Sequence, residues 1–212
     1  MTHTVTVLPN GKWKQNCYIV SSDETGLALL IDPGSDADAV RQIVSGYKFT
    51  PAAILNTHAH FDHIGAVAEL MEVYRTPFYL HYADVKLLKQ ANLYKMLFDS
   101  RESVVIPEPT DDLSVHEAGL KIGEFEISVI STPGHTKGST CLQIGADLFS
   151  GDTLLPGALG RTDLPGGNKA ALEQSIKSLR RLPGDVTVWP GHGDSFALAS
   201  LWCKLAPSSK RK

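Results

Sequence analysis

Thr57-His58-Ala59-His60-Phe61-Asp62-His63 places three imidazoles and one carboxylate within six residues. They directly follow the apolar run Ala52-Ala53-Ile54-Leu55, which Pro51 precedes and which has the length and composition of a buried strand. His58 and His60 are two positions apart. An extended backbone leaving a strand therefore projects both rings to one side. Asp62 and His63 fall where Ile64, Val67, Ala68 and Met71 begin to recur at helical spacing, predicting a helix over about 64–74 and a turn that aims the two side chains at a second point. A single histidine is commonly a hydrogen-bonded structural residue, and Asp62 alone is well placed as a helix N-cap. Four such groups at this spacing form a pattern that binds a divalent metal, with room for two positions.

Three further segments repeat one device, a strand running out into a Gly or Pro turn with a metal-capable side chain at its mouth. Ser131-Thr132-Pro133-Gly134-His135 presents His135, Ser150-Gly151-Asp152-Thr153 presents Asp152, and Trp189-Pro190-Gly191-His192 presents His192. Each alone is ordinary turn chemistry. Together they complete a constellation, because strand ends on one rim of a rigid scaffold are where sites are assembled. His3, His81 and His116 lack such a setting and read as structural or solvated.

The elements that must position these groups follow from the pattern. Thr4–Leu8, Gln15–Val20 and Leu27–Ile31 read as an antiparallel meander, and Ala39, Val40, Ile43 and Val44 as a helix capped by Ser35 or Asp36. After the metal-binding segment come a short strand from Pro77 to Leu80, a helix from Tyr82 to Phe98 and a loop from Asp99 to Thr110. Strands are then expected at Leu113–Val115, Leu120–Ile122, Phe125–Ile130, Thr140–Ile144 and Leu148–Ser150. A helix around Leu172, Ile176 and Leu179 and a strand at Val186–Trp189 close the series. Two sheets packed face to face between outer helices suit this order, as one domain over 1–212.

The 212 residues are 42% hydrophobic, ample for a core of that size. A net charge of −3 and a pI near 6.2 provide no basic field for nucleic acid or an anionic membrane, and the short Lys210-Arg211-Lys212 end does not alter this. No segment has the form of a signal peptide or a membrane span. Cys17, Cys141 and Cys203 are unpaired in spacing, as thiols in a reducing compartment are. A cytoplasmic enzyme acting on a small molecule is the expectation.

The ordered set His58, His60, Asp62, His63, His135, Asp152 and His192 resembles the metallo-β-lactamase superfamily over nearly the whole chain. That resemblance implies an αββα sandwich, two mixed sheets flanked by helices, with a dinuclear site between the sheets. It implies that His58, His60 and His135 hold one metal and Asp62, His63 and His192 the other, with Asp152 bridging. Zinc is favoured; iron and manganese suit the same donors. Gln15-Asn16-Cys17-Tyr18 and the segment from Gly151-Asp152-Thr153-Leu154 to Gly160-Arg161-Thr162-Asp163 are most similar to the glyoxalase II (hydroxyacylglutathione hydrolase) group and its single-domain relatives. True metallo-β-lactamases commonly carry cysteine at the Asp152 position. The chain ends twenty residues after His192, without the C-terminal helical domain that supplies glutathione contacts in two-domain glyoxalases II.

The resemblance therefore implies thioester hydrolysis, with S-lactoylglutathione or a related S-acyl thiol attacked by a metal-bridging hydroxide that Asp62 orients. A one-iron persulfide dioxygenase and a lactone hydrolase are the alternatives within enzymes, and a non-catalytic binding module is the alternative outside them. The last expects lost ligands, and every ligand position is filled. Arg161 either meets a substrate carboxylate or pairs locally with Asp163. Asn16 and Tyr18 either approach the site or are plain buried strand residues.

Overall fold

The computed structural model describes residues 2–205. The Lys210-Arg211-Lys212 end lies outside the described residues. The chain begins with β1 (His3–Asn10), β2 (Gln15–Ser22), β3 (Leu27–Ile31), α1 (Ala37–Gly46) and β4 (Thr50–Leu55). Next come α2 (Phe61–Ile64), α3 (Val67–Tyr74), β5 (Phe78–Leu80), α4 (Val85–Lys89), α5 (Ala91–Phe98) and β6 (Asp111–Asp112). The second half runs β7 (Leu120–Ile122), β8 (Phe125–Ser131), β9 (Thr140–Ile144), β10 (Asp147–Gly151), β11 (Leu154–Leu155) and β12 (Ala158–Leu159). It closes with α6 (Lys169–Leu179), β13 (Thr187–Pro190), β14 (Phe196–Ala197) and α7 (Leu198–Leu205).

One sheet has the order β1-β2-β3-β4-β5-β6, antiparallel through β3 and parallel beyond it. The other has the order β14-β13-β10-β9-β8-β7. The expected sandwich of mixed sheets and outer helices is what the chain builds.

Period-two alternation explains the layers. In β2, Tyr18 and Val20 face the second sheet, where they join Phe125, Ile127, Val129, Leu142 and Phe149. Cys17 and Ile19 face the opposite way, onto Val40 and Val44 of α1 and Val67 and Leu70 of α3. A strand covered on both faces reads as continuously buried, as β2 does at all eight positions. The outer face of the second sheet is closed by α6 and α7, where Leu172, Ile176, Leu179, Leu198 and Leu201 pack on Cys141, Leu148 and Val188.

Strand directions decide where the site lies. β9 runs antiparallel to both β8 and β10, and β10 runs parallel to β13. The carboxyl ends of β8, β10 and β13 therefore emerge on one rim, carrying the turns of His135, Asp152 and His192. β4 delivers the His58–His63 segment to the same rim from the first sheet.

Several expected elements differ. The helix over 64–74 is two pieces, α2 and α3, because the chain at Gly65 passes so close to the Asp32-Pro33-Gly34 turn that a Cβ there would overlap the carbonyl of Gly34. The helix over 82–98 is a short 3-10 turn at Tyr82–Asp84 followed by α4 and α5. Leu113–Val115 is not a strand: Asp112 caps a 3-10 turn there by accepting from the Ser114 amide and hydroxyl at 2.9 and 2.7 Å. The helix after β3 has Asp36 as its N-cap, accepting from the Ala39 amide at 3.2 Å.

Phe149 is fully buried between the sheets, 5.2 Å edge-to-face from Tyr18 and 6.4 Å stacked on Trp189. Phe149→Ala should cost roughly 3–5 kcal/mol of folding stability in chemical denaturation. A loss below 1 kcal/mol would show that this contact does not hold the sheets together.

Candidate metal centre

His58 and His60 leave the end of β4 in extended backbone, and His60 occupies the N-cap position of α2 at φ −68° and ψ 149°. Asp62 is therefore not the cap. It lies in the first turn of α2, with His63 next to it on the same short helix. The structure brings all seven expected groups together. His58, His60 and His135 form one triplet and Asp62, His63 and His192 another, with the donor atoms of each triplet within 4.8 Å of one another. Asp152 lies between them. Its carboxylate is 3.6 Å from His135 Nε2, 3.7 Å from His63 Nε2 and 3.7 Å from His192 Nε2.

Four of the five rings are oriented by a contact at the nitrogen that faces away. His63 Nδ1 donates to Asp32 at 3.1 Å, and His58 Nδ1 meets the Thr57 hydroxyl at 3.1 Å. His135 Nδ1 donates to the Arg161 carbonyl at 2.8 Å and His192 Nδ1 to the Trp13 carbonyl at 3.1 Å. Such outer contacts fix the tautomer and leave Nε2 with a lone pair toward the centre. His60 is the exception, with Nδ1 2.9 Å from His135 Nε2.

The donor set fits an ion. His58 Nε2, His60 Nε2, His63 Nε2 and Asp152 Oδ1 are buried without a hydrogen-bond partner, a condition that costs about 1–3 kcal/mol per group unless something satisfies it. The electrostatics divide the site. Burial, followed by the neighbouring imidazoles His63, His60 and His135, pushes His58 well below the ordinary histidine value. Burial and then His135 take His60 down to about 3. Both are neutral, the form that ligates. On the other side burial opposes charge on His63, but Asp62, then Asp32 and Asp152, outweigh it and hold the ring up at about 10. Burial would raise Asp62, and His63 and His192 instead hold its carboxyl well below the usual range. A field that favours an imidazolium beside two carboxylates equally favours a divalent cation.

Asp32 and Asp84 were not singled out from the sequence. Asp32 is buried at the end of β3, where Asp-Pro-Gly-Ser reads simply as a turn, and accepts from the Thr57 amide at 2.7 Å and its hydroxyl at 2.5 Å. Although Asp32, His58 and His63 also cluster, both Asp32 oxygens are engaged, so it orients the rings. Asp84 is buried in an element expected to be a plain helix; it accepts from Ala59 N, Thr136 Oγ1 and Gly138 N at 3.1, 2.7 and 2.7 Å. Asn16 and Tyr18 hold the turn that bears His192: Asn16 Nδ2 donates to the carbonyls of Pro190 and Gly193 at 3.0 and 2.8 Å, and Tyr18 Oη to Pro190 at 2.5 Å.

The centre opens into a cleft of about 530 Å³ whose floor includes His60, Asp62, Asp152 and His192. Arg161 lines it too, with Nε and Nη2 donating to Asp163 at 2.8 and 2.7 Å. Of the remaining histidines, His3 pairs with Asp147 at 2.8 Å, His81 accepts from the Ala83 amide at 3.1 Å, and His116 lies 3.2 Å from Asp111. No helix among the described residues is long and apolar enough to cross a membrane.

Comparison with known proteins finds clear similarities. The family model described as Metallo-beta-lactamase superfamily matches residues 10–192. The probable metallo-hydrolase YqgX of Bacillus subtilis (strain 168) is 41% identical over 191 residues, 88% of each chain. Two crystal structures are each 36% identical over 94% of this chain and 97% of their own. They are BLEG-1 B3 metallo-beta-lactamase, with TM-score 0.88, and TTHA1623 in a di-iron-bound form, with TM-score 0.82. ETHE1 from Myxococcus xanthus is 26% identical over 94% of this chain and 81% of its own, with TM-score 0.74.

Because the Asp152 carboxylate lies within 3.7 Å of rings of both triplets, Asp152→Ala should weaken both metal positions together, whereas His192→Ala should chiefly weaken one. Elemental analysis after dialysis against a competing chelator distinguishes them, and full retention of both ions in Asp152→Ala would contradict the shared carboxylate. Asp32→Ala removes none of the seven candidate ligands and, by freeing two of their rings, should still cost about 10–100-fold in metal affinity.

Proposed function

Because the chain belongs to the metallo-beta-lactamase superfamily, we propose that it is a metal-dependent hydrolase of thioesters, S-lactoylglutathione and related S-acyl thiols being the first substrates to test. The observation that carries this reading is the convergence of seven metal-capable side chains on the floor of an open cleft, with Asp152 in reach of both triplets. Two divalent ions held there would supply an activated water at neutral pH and polarise a carbonyl. The imidazole and carboxylate donors suit zinc, iron or manganese, and the di-iron-bound form of TTHA1623 adds weight to iron.

The protein's own part is positioning and proton handling. Asp62 reaches the cleft from the first turn of α2, 3.4 Å from His192 Nε2, and stays ionised. In that state it accepts a hydrogen bond from an attacking water and turns a lone pair of that water toward the substrate carbonyl. The leaving group discriminates among acyl substrates. Apart from the candidate ligands, the hydrogen-bond donors on the cleft walls are Arg161, Trp13 and Tyr94, whose hydroxyl turns to Gln90 at 3.4 Å. An amine leaving group needs protonation as it departs. A thiolate departs without that protonation, since a thiol pKa near 8.5 makes it a competent leaving group.

The likeness to BLEG-1 favours β-lactam hydrolysis as a second reading, against which weighs the protonation that an amine leaving group requires. Protein loaded in turn with zinc, iron and manganese should hydrolyse thioesters, lose the activity on chelation and regain it on metal return, with close to two ions per chain. Persulfide oxidation with a single tightly bound iron, or turnover of β-lactams or acyl-homoserine lactones well above that of any thioester, would overturn the reading.

A further inference from the structure

The cleft above the metal centre has walls of a consistent kind. Trp13 on the β1–β2 turn, Phe61 at the start of α2 and Phe98 at the end of α5 form one side. Leu155, Leu159 and Leu164, from the β11–β12 hairpin and the segment after it, form the other. Trp13 and Phe98 are 46% and 51% exposed, so large aromatic surface stands open at the mouth. Trp13 is braced against Phe61 at 6.5 Å, edge to face, and its turn is tied to the end of α5 by Lys12, which bonds Asp99 at 2.9 Å.

Charge is the complementary half of the observation. Arg161 is the only Lys or Arg among the described residues that line this cleft, and its Nε and Nη2 are engaged by Asp163. Lys12 at the mouth is likewise committed to Asp99. Above the ligands, an anionic substrate group would find on the walls this one guanidinium with Asp163 beside it. An apolar group would instead cover aromatic and leucine surface that water now wets.

We propose that this cleft selects thioesters by an apolar, uncharged moiety, so that the preferred substrates are medium-chain or aromatic acyl thiols and not a short acyl group on an anionic carrier such as glutathione. The proposal rests on the thioesterase reading and narrows it. The acyl side and the thiol side of a thioester could each supply the apolar part, and the two are separable by experiment.

The acyl arm measures kcat/KM for acetyl through octanoyl thioesters of neutral N-acetylcysteamine. The value should climb about three- to fourfold per methylene until the cleft is filled. The thiol arm keeps the acetyl group and compares N-acetylcysteamine, benzyl mercaptan and glutathione; a rise confined to benzyl mercaptan would assign the apolar contact to the thiol side. Phe98→Ala and Leu159→Ala should each reduce the octanoyl-to-acetyl ratio at least fivefold, with metal content and circular dichroism showing that the protein remains loaded and folded. A non-hydrolysable ketone analogue series, titrated calorimetrically into the loaded protein, reads binding without turnover. Binding that strengthens with chain length while no thioester is cleaved would keep the apolar cleft and discard thioester hydrolysis. Flat dependence in both arms and in calorimetry, or a glutathione thioester favoured tenfold over its neutral counterpart, would overturn the proposal.

Discussion

The buried carboxylate of Asp32 is the interaction on which the centre depends. It sits at φ +49°, a left-handed backbone that costs a non-glycine residue energy, and its amide donates to the Leu55 carbonyl at 3.1 Å, so the ends of β3 and β4 are locked together. A carboxylate this deep is tolerable only when its oxygens are filled. Thr57 supplies an amide and a hydroxyl and His63 a ring N–H. The Thr57 hydroxyl in turn touches His58 Nδ1. One side chain from a neighbouring strand thereby orients an imidazole in each triplet, and removing it would strand three buried donors as well as free two rings.

The same solution recurs at the turns of His135 and His192, each held by buried polar residues from a different part of the chain. Asp84 joins the amide of Ala59 to Thr136 and Gly138, tying the His58–His60 segment of one sheet to the His135 turn of the other. Asn16 and Tyr18 tie the His192 turn to β2. Glycines allow the close approach. A Cβ on Gly191 would overlap Asp152 Oδ1, and one on Gly138 would press on Asp84. Rings placed to within a few tenths of an ångström need this kind of support, because an unsupported loop side chain spends its time elsewhere.

What could be read from the sequence separates along the same line. The ligands were legible because each stands at a strand end in a short pattern of its own: His58-Ala59-His60 alternates, and Pro-Gly-His and Gly-Asp-Thr are local turns. The layers were legible because β2, β8 and the helix faces obey period two or 3.6. The supports were not. Asp32 looks like any Asp-Pro-Gly turn until its partners twenty-five and thirty-one residues away are known, and Asp84 looks like a polar helix position. The helix break at Gly65 is not legible because packing against the Asp32-Pro33-Gly34 turn, not local propensity, ends that segment. Leu113–Val115 misled in the opposite sense, since Asp112 captures the following amide and hydroxyl and diverts a strand-forming sequence into a 3-10 turn.

The division has a chemical counterpart. The centre is built on the rim of two sheets, where strand directions and buried carboxylates leave little freedom, and what metal ions held there would do, activating water and polarising a carbonyl, is common to esters, thioesters, lactones and lactams. Nothing in that apparatus chooses among them. The choice falls to the side chains of the walls, which come from the β1–β2 turn, the end of α5 and the β11–β12 hairpin, segments whose backbone meets the ligands through the carbonyls of Trp13 and, just past the hairpin, Arg161. Such segments change composition without disturbing the ligands beneath them. Two proteins can therefore share the whole metal apparatus and the fold that aims it while differing in substrate. In this chain the walls carry aromatic and leucine side chains and one guanidinium already bound to its own carboxylate, so on the proposed reading substrate choice rests on apolar shape and leaving-group chemistry more than on the charge of the rim.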